Sequence, residues 1–145
     1  MKLPITTFTE FRDAVSAYRL PLVLLAALEL DLCTVIGNQA WTISELAKTL
    51  KLSERGLGIL CRNLAMAGVL RKQGARYRNS KLGATVLNAR HPLYRREYLE
   101  LLRYHWSEWL RLLEAVKTGR PIERETSDDP DWRRWFTWAM YHRTL

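Results

Sequence analysis

Glycine, proline and cysteine are scarce in this sequence of 145 residues, which contains 7 Gly, 5 Pro and 2 Cys. A β fold with many tight turns needs more turn-forming residues, so the sequence favours helices. Hydrophobic residues make up 48% of the chain and charged residues 26%. This composition supports one packed domain of ordinary size and excludes a disordered chain.

The two cysteines, Cys33 and Cys61, lie in apolar stretches and do not form a Cys-x-x-Cys pair. The pattern excludes a disulfide framework and favours two reduced core residues, as in a cytoplasmic protein. The three histidines, His91, His105 and His142, lack the pairing that zinc sites use. We therefore assign no metal ligand and no catalytic residue.

No hydrophobic run approaches the length of a membrane span. The most apolar stretch, residues 20–28, contains Pro21 and is far shorter than the roughly 20 residues that a bilayer requires. It also lacks the small residues of a signal-peptide cleavage site. We interpret it as a buried helix and predict no membrane association.

Acidic residues are outnumbered, with 15 Asp and Glu against 23 Lys and Arg, which leaves a net charge of +8. Most of the excess lies between Arg71 and Arg103, where nine cations are opposed only by Glu97 and Glu100. Such a patch could contact nucleic acid, an acidic partner domain or solvent alone. The sequence leaves these three alternatives open.

Residues 42–79 show the order of elements of a winged helix. Thr42 and Glu45 match a capping box at the start of a short helix. A second helix follows, with apolar residues at steps of three and four, and ends at Gly68. Gly74 then lies in the turn of a predicted hairpin. The apolar residues of the second helix are Leu57, Leu60, Cys61 and Leu64.

Further helices are predicted on both sides of this segment. Residues 11–36 form two helices separated near Pro21, and the second is apolar on nearly every face, which often means burial against a second subunit. Residues 92–119 form one long helix that Pro92 opens. Residues 130–145 form an aromatic helix with no typical end. Because that helix would expose apolar surface, we expect the natural protein to continue beyond it.

A DNA-binding transcriptional regulator is the alternative interpretation of the winged helix. Its recognition helix would span residues 54–67, where the outward residues are small and rather apolar, whereas base readout uses Arg, Asn, Gln or Ser. Cations of the hairpin could contact phosphates, and such contacts position a protein without specifying sequence. These cations are Arg71, Lys72, Arg76 and Arg78. We therefore favour an architectural role over binding to nucleic acid.

Several motifs occur in the order and spacing of one known family. They are Leu24 to Leu30, Thr42 to Ala47 (T-x-x-E-L-A), Arg62 to Leu70 (R-x-L-x-x-x-G-[VL]-[LF]), Tyr77 to Ser80, Trp109 to Pro121 (W-x-x-L-x-x-x-[VL]-x-x-G-x-P) and Phe136 to Met140 (F-x-x-x-M). Over roughly residues 11–141 the chain resembles the N-terminal dimerisation domain of SAM-dependent O-methyltransferases. That superfamily includes plant phenolic and bacterial polyketide and carotenoid O-methyltransferases.

The resemblance implies that residues 1–145 are one mainly α module. It has a winged-helix-like core, a small β-hairpin wing and long additional helices that form an intertwined homodimer. The interface residues would be Tyr18, Leu22, Leu25 and Leu28. The later helices would roof a pocket for a small aromatic or polyketide-like methyl acceptor. The substrate-binding residues would be Phe136, Met140, Tyr141, Trp106 and Trp109.

The resemblance also implies a SAM-binding Rossmann-like domain, which this sequence does not contain. Methyl transfer requires SAM to be held against an acceptor oxygen. We therefore expect no cofactor on this chain, SAM in the full-length enzyme, and a module that is inactive alone. The SAM-binding domain would be missing after Leu145 or carried by a separate chain. A non-catalytic scaffold that binds an aromatic ligand or an acidic partner enzyme is a third alternative.

Overall fold

The computed structural model describes residues 4–122 and 129–143, and the chain divides into two compact units, Met1–Tyr94 and Arg95–Leu145. The first unit contains α1 (Phe8–Ser16), α2 (Arg19–Glu29), α3 (Leu32–Ile36), β1 (Trp41–Thr42), α4 (Ile43–Leu50), α5 (Glu54–Met66), β2 (Leu70–Gln73), β3 (Arg76–Asn79) and α6 (Lys81–Val86). The second contains α7 (Arg96–Leu110), α8 (Leu112–Thr118) and α9 (Pro130–Arg143). The predicted mainly α fold with a winged-helix-like core is confirmed.

The sheet of the first unit has three antiparallel strands in the order β1-β3-β2. Strands β2 and β3 form the predicted wing, in which Leu70 pairs with Asn79 and Arg71 pairs with Arg78. Strand β1 was not predicted. It has only two residues, and one of them, Thr42, is also the N-cap of α4. The local sequence therefore predicts the start of a helix.

Side chains cap the helices where the sequence predicts them. The Thr42 hydroxyl accepts a hydrogen bond from the Glu45 amide at 3.2 Å, and the Glu45 carboxylate accepts one from the Thr42 amide at 2.7 Å. The bond from the Thr42 amide is the largest of the contacts that lower the pKa of Glu45. The hydroxyls of Ser53 and Ser80 also cap α5 and α6, since they accept hydrogen bonds from the amides of Gly56 and Gly83.

The core of the first unit lies where α2, α3, α4 and α5 meet the wing. Its largest fully buried aliphatic side chains are Leu32, Ile36, Leu46, Leu64, Val69 and Leu70. Cys33 and Cys61 lie in this core as free thiols, as predicted. Burial raises the pKa of Cys33 to about 12 and that of Cys61 to about 11, so both thiols stay protonated at neutral pH.

The end of α3 is capped by side chains from the sheet. The Asn79 amide nitrogen donates to the carbonyl oxygens of Cys33 and Gly37 at 2.8 and 2.9 Å. The Trp41 indole donates to the carbonyl oxygen of Ile36 at 3.2 Å. These bonds add side-chain donors to the carbonyl groups at the end of α3, and they tie β1 and β3 to α3.

The prediction of one helix over residues 92–119 is wrong in two places. Pro92 lies in a turn closed by a 2.9 Å hydrogen bond from the Tyr94 amide to the His91 carbonyl, and α7 begins at Arg96. The helix also breaks at Arg111, whose amide bonds back three residues to Glu108 at 3.0 Å instead of four.

The last helix, predicted over 130–145, is described as far as Arg143, and Leu145 lies outside the described residues. Among the residues that the structure describes, no helix combines the length and the apolar character needed to cross a bilayer.

Candidate functional site

Helix α9 packs against α7 in the second unit around two buried carboxylates. Glu97 is paired with His142 of α9. Glu100 accepts a 2.9 Å hydrogen bond from Arg96 and lies 3.5 Å from Arg103. A buried carboxylate is costly without a partner, and the partners of Glu100 lie on α7 itself. The pair of Glu97 with His142 joins α7 to α9 and helps to fix the position of α9.

A second contact holds the start of α9. The Tyr104 hydroxyl donates to the Asp129 carboxylate at 3.2 Å, and the other oxygen of that carboxylate accepts from the Asp131 amide at 2.8 Å. Desolvation first and the Asp129 charge second raise the pKa of Tyr104, so its hydroxyl remains a donor. Asp129 therefore caps α9 and anchors it to α7.

A cavity of about 620 Å³ lies along α7, α8 and the residues after α8. Its volume is within the range of small-molecule sites. His105 and Glu108 are the polar side chains of an otherwise apolar wall, and Nε2 of His105 is buried without a hydrogen-bond partner among the described residues. The full lining is His105, Glu108, Trp109, Leu112, Ala115, Pro121 and Ile122.

Of the five predicted substrate-binding residues, Trp109 lines this cavity, and its side chain is 70% exposed. Trp106 lies on α7 outside the lining. Phe136, Met140 and Tyr141 lie on α9. There the Phe136 ring stacks on Trp132 at 5.1 Å, and Tyr141 meets Trp138 edge to face at 5.8 Å. The cavity therefore does not bring the five residues together.

Most of the residues that line this cavity are not among the predicted site residues. A signal for them existed, because His105, Glu108, Leu112 and Ala115 are spaced by three, four and three residues and so share one face of a helix. The predicted substrate-binding residues are instead aromatic residues and one methionine of α7 and α9. The sequence assigns His105 no metal-binding or catalytic role. In the described ranges no group of three or more His, Cys, Asp or Glu side chains could hold a metal ion.

The four predicted interface residues divide into two pairs. Tyr18 and Leu22 are 49% and 43% exposed, whereas Leu25 and Leu28 are buried within the chain. Helix α1, which precedes them, has no buried residue. Its large apolar side chains are therefore exposed together with Tyr18 and Leu22. They are Phe8, Phe11 and Val15.

Two of the four wing cations have partners within the first unit. Arg76 donates to the carbonyl oxygen of Ala40 at 2.9 Å and to the Glu45 carboxylate at 3.2 Å. The ammonium group of Lys72 lies 6.0 Å from the centre of the Tyr77 ring. Arg71 and Arg78 face each other across the wing. Fewer cations are therefore available to phosphates than the sequence indicates.

The family model of the O-methyltransferase dimerisation domain matches residues 13–89 of this sequence, which is more than half of the chain. The chain belongs to this family. The match begins within α1 and ends after α6, so it covers the end of α1, all of α2 and the winged helix.

Relatives of this O-methyltransferase dimerisation domain occur in longer proteins. The chain is 33% identical over 98 residues to the tetracenomycin polyketide synthesis 8-O-methyl transferase TcmO of Streptomyces glaucescens, covering 66% of this chain and 29% of that protein. It is 32% identical over 109 residues to the 3-hydroxy-5-methyl-1-naphthoate 3-O-methyltransferase of Streptomyces sahachiroi, covering 74% and 31%. The chain thus spans about a third of the length of these curated relatives.

The same fold is found in solved structures. An O-methyltransferase family protein from Burkholderia thailandensis matches with a TM-score of 0.84 and 26% identity, covering 94% of this chain and 42% of that one. Some structures that match at 19% and 18% identity contain SAM and SAH, respectively. At such identities the likeness shows the fold alone.

Proposed function

We propose that this chain is the dimerisation and substrate-pocket module of a homodimeric SAM-dependent O-methyltransferase, and that it transfers no methyl group alone. Two findings support this assignment. The chain belongs to the dimerisation-domain family, and it spans only about a third of the length of each curated relative. Two free, buried cysteines favour a cytoplasmic location. The observation that carries the proposal is the exposed apolar face of α1 and α2.

This face is the proposed dimer interface. Phe8 is 78% exposed, and Phe11 and Val15 lie on the same helix with more than half of their surface exposed. An apolar face of this extent is costly in water, and a second copy of the chain would cover it. Tyr18 and Leu22 continue the surface, and Leu25 and Leu28 support it from the core beneath.

The methyl acceptor is proposed to bind along the second unit. Trp109 offers a flat apolar surface, and His105 and Glu108 offer polar atoms in the same cavity. The two curated relatives act on a polyketide and on a hydroxylated naphthoate. We therefore propose a hydroxylated aromatic acceptor. Trp106, Phe136, Met140 and Tyr141 would complete its pocket in the full-length protein.

The described residues do not fit SAM. A Rossmann-like site places the cofactor at a glycine-rich turn between a parallel strand and a helix. The sheet described here has three short antiparallel strands, and its tight turn joins two strands of the wing. We propose that SAM is held by a different domain, in the same polypeptide or in a partner chain.

The interface is tested by sedimentation velocity on the chain and two variants. We expect the unsubstituted chain to be a dimer at micromolar concentration. The double variant V15D/L22D should dimerise at least a hundredfold more weakly, because it places two carboxylates on the apolar face. Met66→Asp is the matched control, since Met66 is 86% exposed on α5 and outside the proposed interface.

Far-ultraviolet circular dichroism of each variant shows whether the fold is kept. A strict monomer at high concentration would overturn the interface proposal. Equal loss of dimer in the Met66→Asp control would do so as well, because it would show an effect of added charge alone.

A further inference from the structure

A second cavity, of about 490 Å³, lies in the first unit between the end of α3, the wing and the start of α6. Its polar lining includes three cations, Arg71, Arg78 and Lys81, and no acidic residue. Asn38, Asn79 and Ser80 add uncharged polar groups. We call this cavity the wing groove, and neither the dimer interface nor the acceptor cavity includes its residues.

The two arginines of the wing groove are placed against each other. Arg71 on β2 and Arg78 on β3 are direct partners in the antiparallel register, so their side chains leave the same face of the wing. Like charges in such a pair destabilise a sheet unless an anion lies between them. Within residues 4–122 and 129–143 neither arginine forms an ion pair with a carboxylate, in contrast to Arg76. The wing groove thus holds positive charge that the described part of the chain leaves uncompensated.

The frame that carries these cations is rigid. Asn79, which is 8% exposed, is fixed by its hydrogen bonds to the carbonyl oxygens of Cys33 and Gly37. Ser80, also 8% exposed, is fixed because its hydroxyl accepts from the Gly83 amide. Arg78 and Lys81 flank these two residues in the chain. Cations on a fixed frame lose less entropy on binding an anion than cations on a mobile loop.

We propose that the wing groove binds a small molecule that carries phosphate groups. Two guanidinium groups match the paired oxygens of phosphate, and a third cation suits a ligand with more than one negative charge, such as a diphosphate. A DNA duplex fits less well, because a winged helix places α5 in the major groove, and α5 contributes no residue to this lining. The ligand is therefore a free phosphorylated compound rather than a nucleic-acid backbone.

The test is isothermal titration calorimetry of the chain with inorganic pyrophosphate at low salt. We expect one saturable site per chain. Arg78→Gln and Lys81→Gln should each weaken binding by about tenfold or more, because each removes a charge-assisted hydrogen bond. Arg55→Gln is the matched control, since Arg55 is exposed on α5 and the substitution lowers the net charge by the same amount. It should change the affinity less than twofold.

Further arms separate the remaining outcomes. Arg78→Lys should recover part of the affinity that Arg78→Gln loses, and Arg71→Gln provides a second variant if melting curves show that Arg78→Gln does not fold. Equal weakening by Arg55→Gln would overturn the proposal, since net charge alone would then explain binding. The absence of a saturable site would also overturn it. A short DNA duplex that displaces pyrophosphate at lower concentration would assign the groove to a nucleic-acid backbone instead.

Discussion

Gly83 is a residue whose size matters at the junction of α6 and the wing. A Cβ atom on Gly83 would lie 2.4 Å from the carbonyl oxygen of Val69 and 3.2 Å from Oδ1 of Asn79. The Val69 oxygen is held in place, because it accepts a 3.0 Å hydrogen bond from the Ser80 amide. In the sequence this glycine looks like a weak helix former, and only the structure shows the close approach that requires it.

Replacing Gly83 with alanine should therefore destabilise the chain by about 1–3 kcal/mol, the usual cost of forcing an extra methyl group into a packed site. Gly58→Ala is the control. At Gly58 the nearest atoms would be 3.7 Å away on Arg62 of α5 and 3.8 Å away on Ile43 of α4, and both distances are ordinary contacts. That substitution should be neutral or stabilising by up to about 1 kcal/mol. Urea denaturation of both variants measures the difference, and equal midpoints would contradict the prediction.

Among the elements, the start of α4 was predictable, whereas the start of α7 and the break after it were not. The capping box of Thr42 and Glu45 is a local pattern, because its hydrogen bonds join residues three apart. The break at Arg111 has no such pattern, since apolar residues continue at helical spacing through it and no Gly or Pro lies there. Trp109, Leu113 and Val116 are all exposed in the structure. Periodicity thus predicted helical backbone without showing what covers its apolar face.

The junction between β3 and α3 depends on one long-range side chain. Asn79 joins carbonyl groups 46 and 42 residues earlier in the chain. Asn79→Ala should reduce the free energy of unfolding by about 1–3 kcal/mol, because it removes two hydrogen bonds to backbone carbonyl groups, one of them buried. Asn79→Asp should cost more, since a carboxylate would face two carbonyl oxygens.

Asn63→Ala is the matched control for Asn79. Asn63 also donates to a backbone carbonyl, that of Ile59 at 2.9 Å, but its bond is exposed to water. We expect a loss below about 0.5 kcal/mol, as for most surface substitutions. Chemical denaturation at neutral pH compares the three variants. The junction would carry no special stability if the Asn79 and Asn63 variants unfolded at the same denaturant concentration.

For the whole molecule, the order of motifs predicted the fold well, whereas the cavity of the second unit includes Trp109 alone of the five predicted substrate-binding residues. Thr42 to Ala47 and Arg62 to Leu70 mark the winged helix because their spacing follows its helices. Which residues of the proposed acceptor pocket face a ligand depends instead on how α9 is rotated about its axis. That rotation is set by contacts such as Glu97 with His142, which are 45 residues apart. A single sequence does not show such pairings, so the prediction for α9 depends on the family resemblance and on residue type.

The chain carries a net charge of +8, which favours contact with the phosphates of DNA. Binding to duplex DNA therefore tests whether the chain acts as a transcriptional regulator. A regulator would read bases with α5, yet the exposed surface of α5 includes Ile59 and Met66. Arg76, the cation that the sequence placed among the phosphate contacts, is held by Ala40 and Glu45. We therefore expect binding at physiological salt to be no tighter than the non-specific range, with a Kd of roughly 10⁻⁴–10⁻⁶ M.

Fluorescence anisotropy with labelled duplexes of several unrelated sequences, repeated over a series of salt concentrations, measures this binding. Affinity should be the same for every sequence, because contacts to phosphates alone carry no sequence information. It should also fall with added salt as counterions compete for those phosphates. Selective binding of one sequence with a Kd near 10⁻⁸ M would instead support the regulator. Such a result would require α5 to contact bases. Few exposed side chains of α5 are suited to this, chiefly Arg55, Arg62 and Asn63.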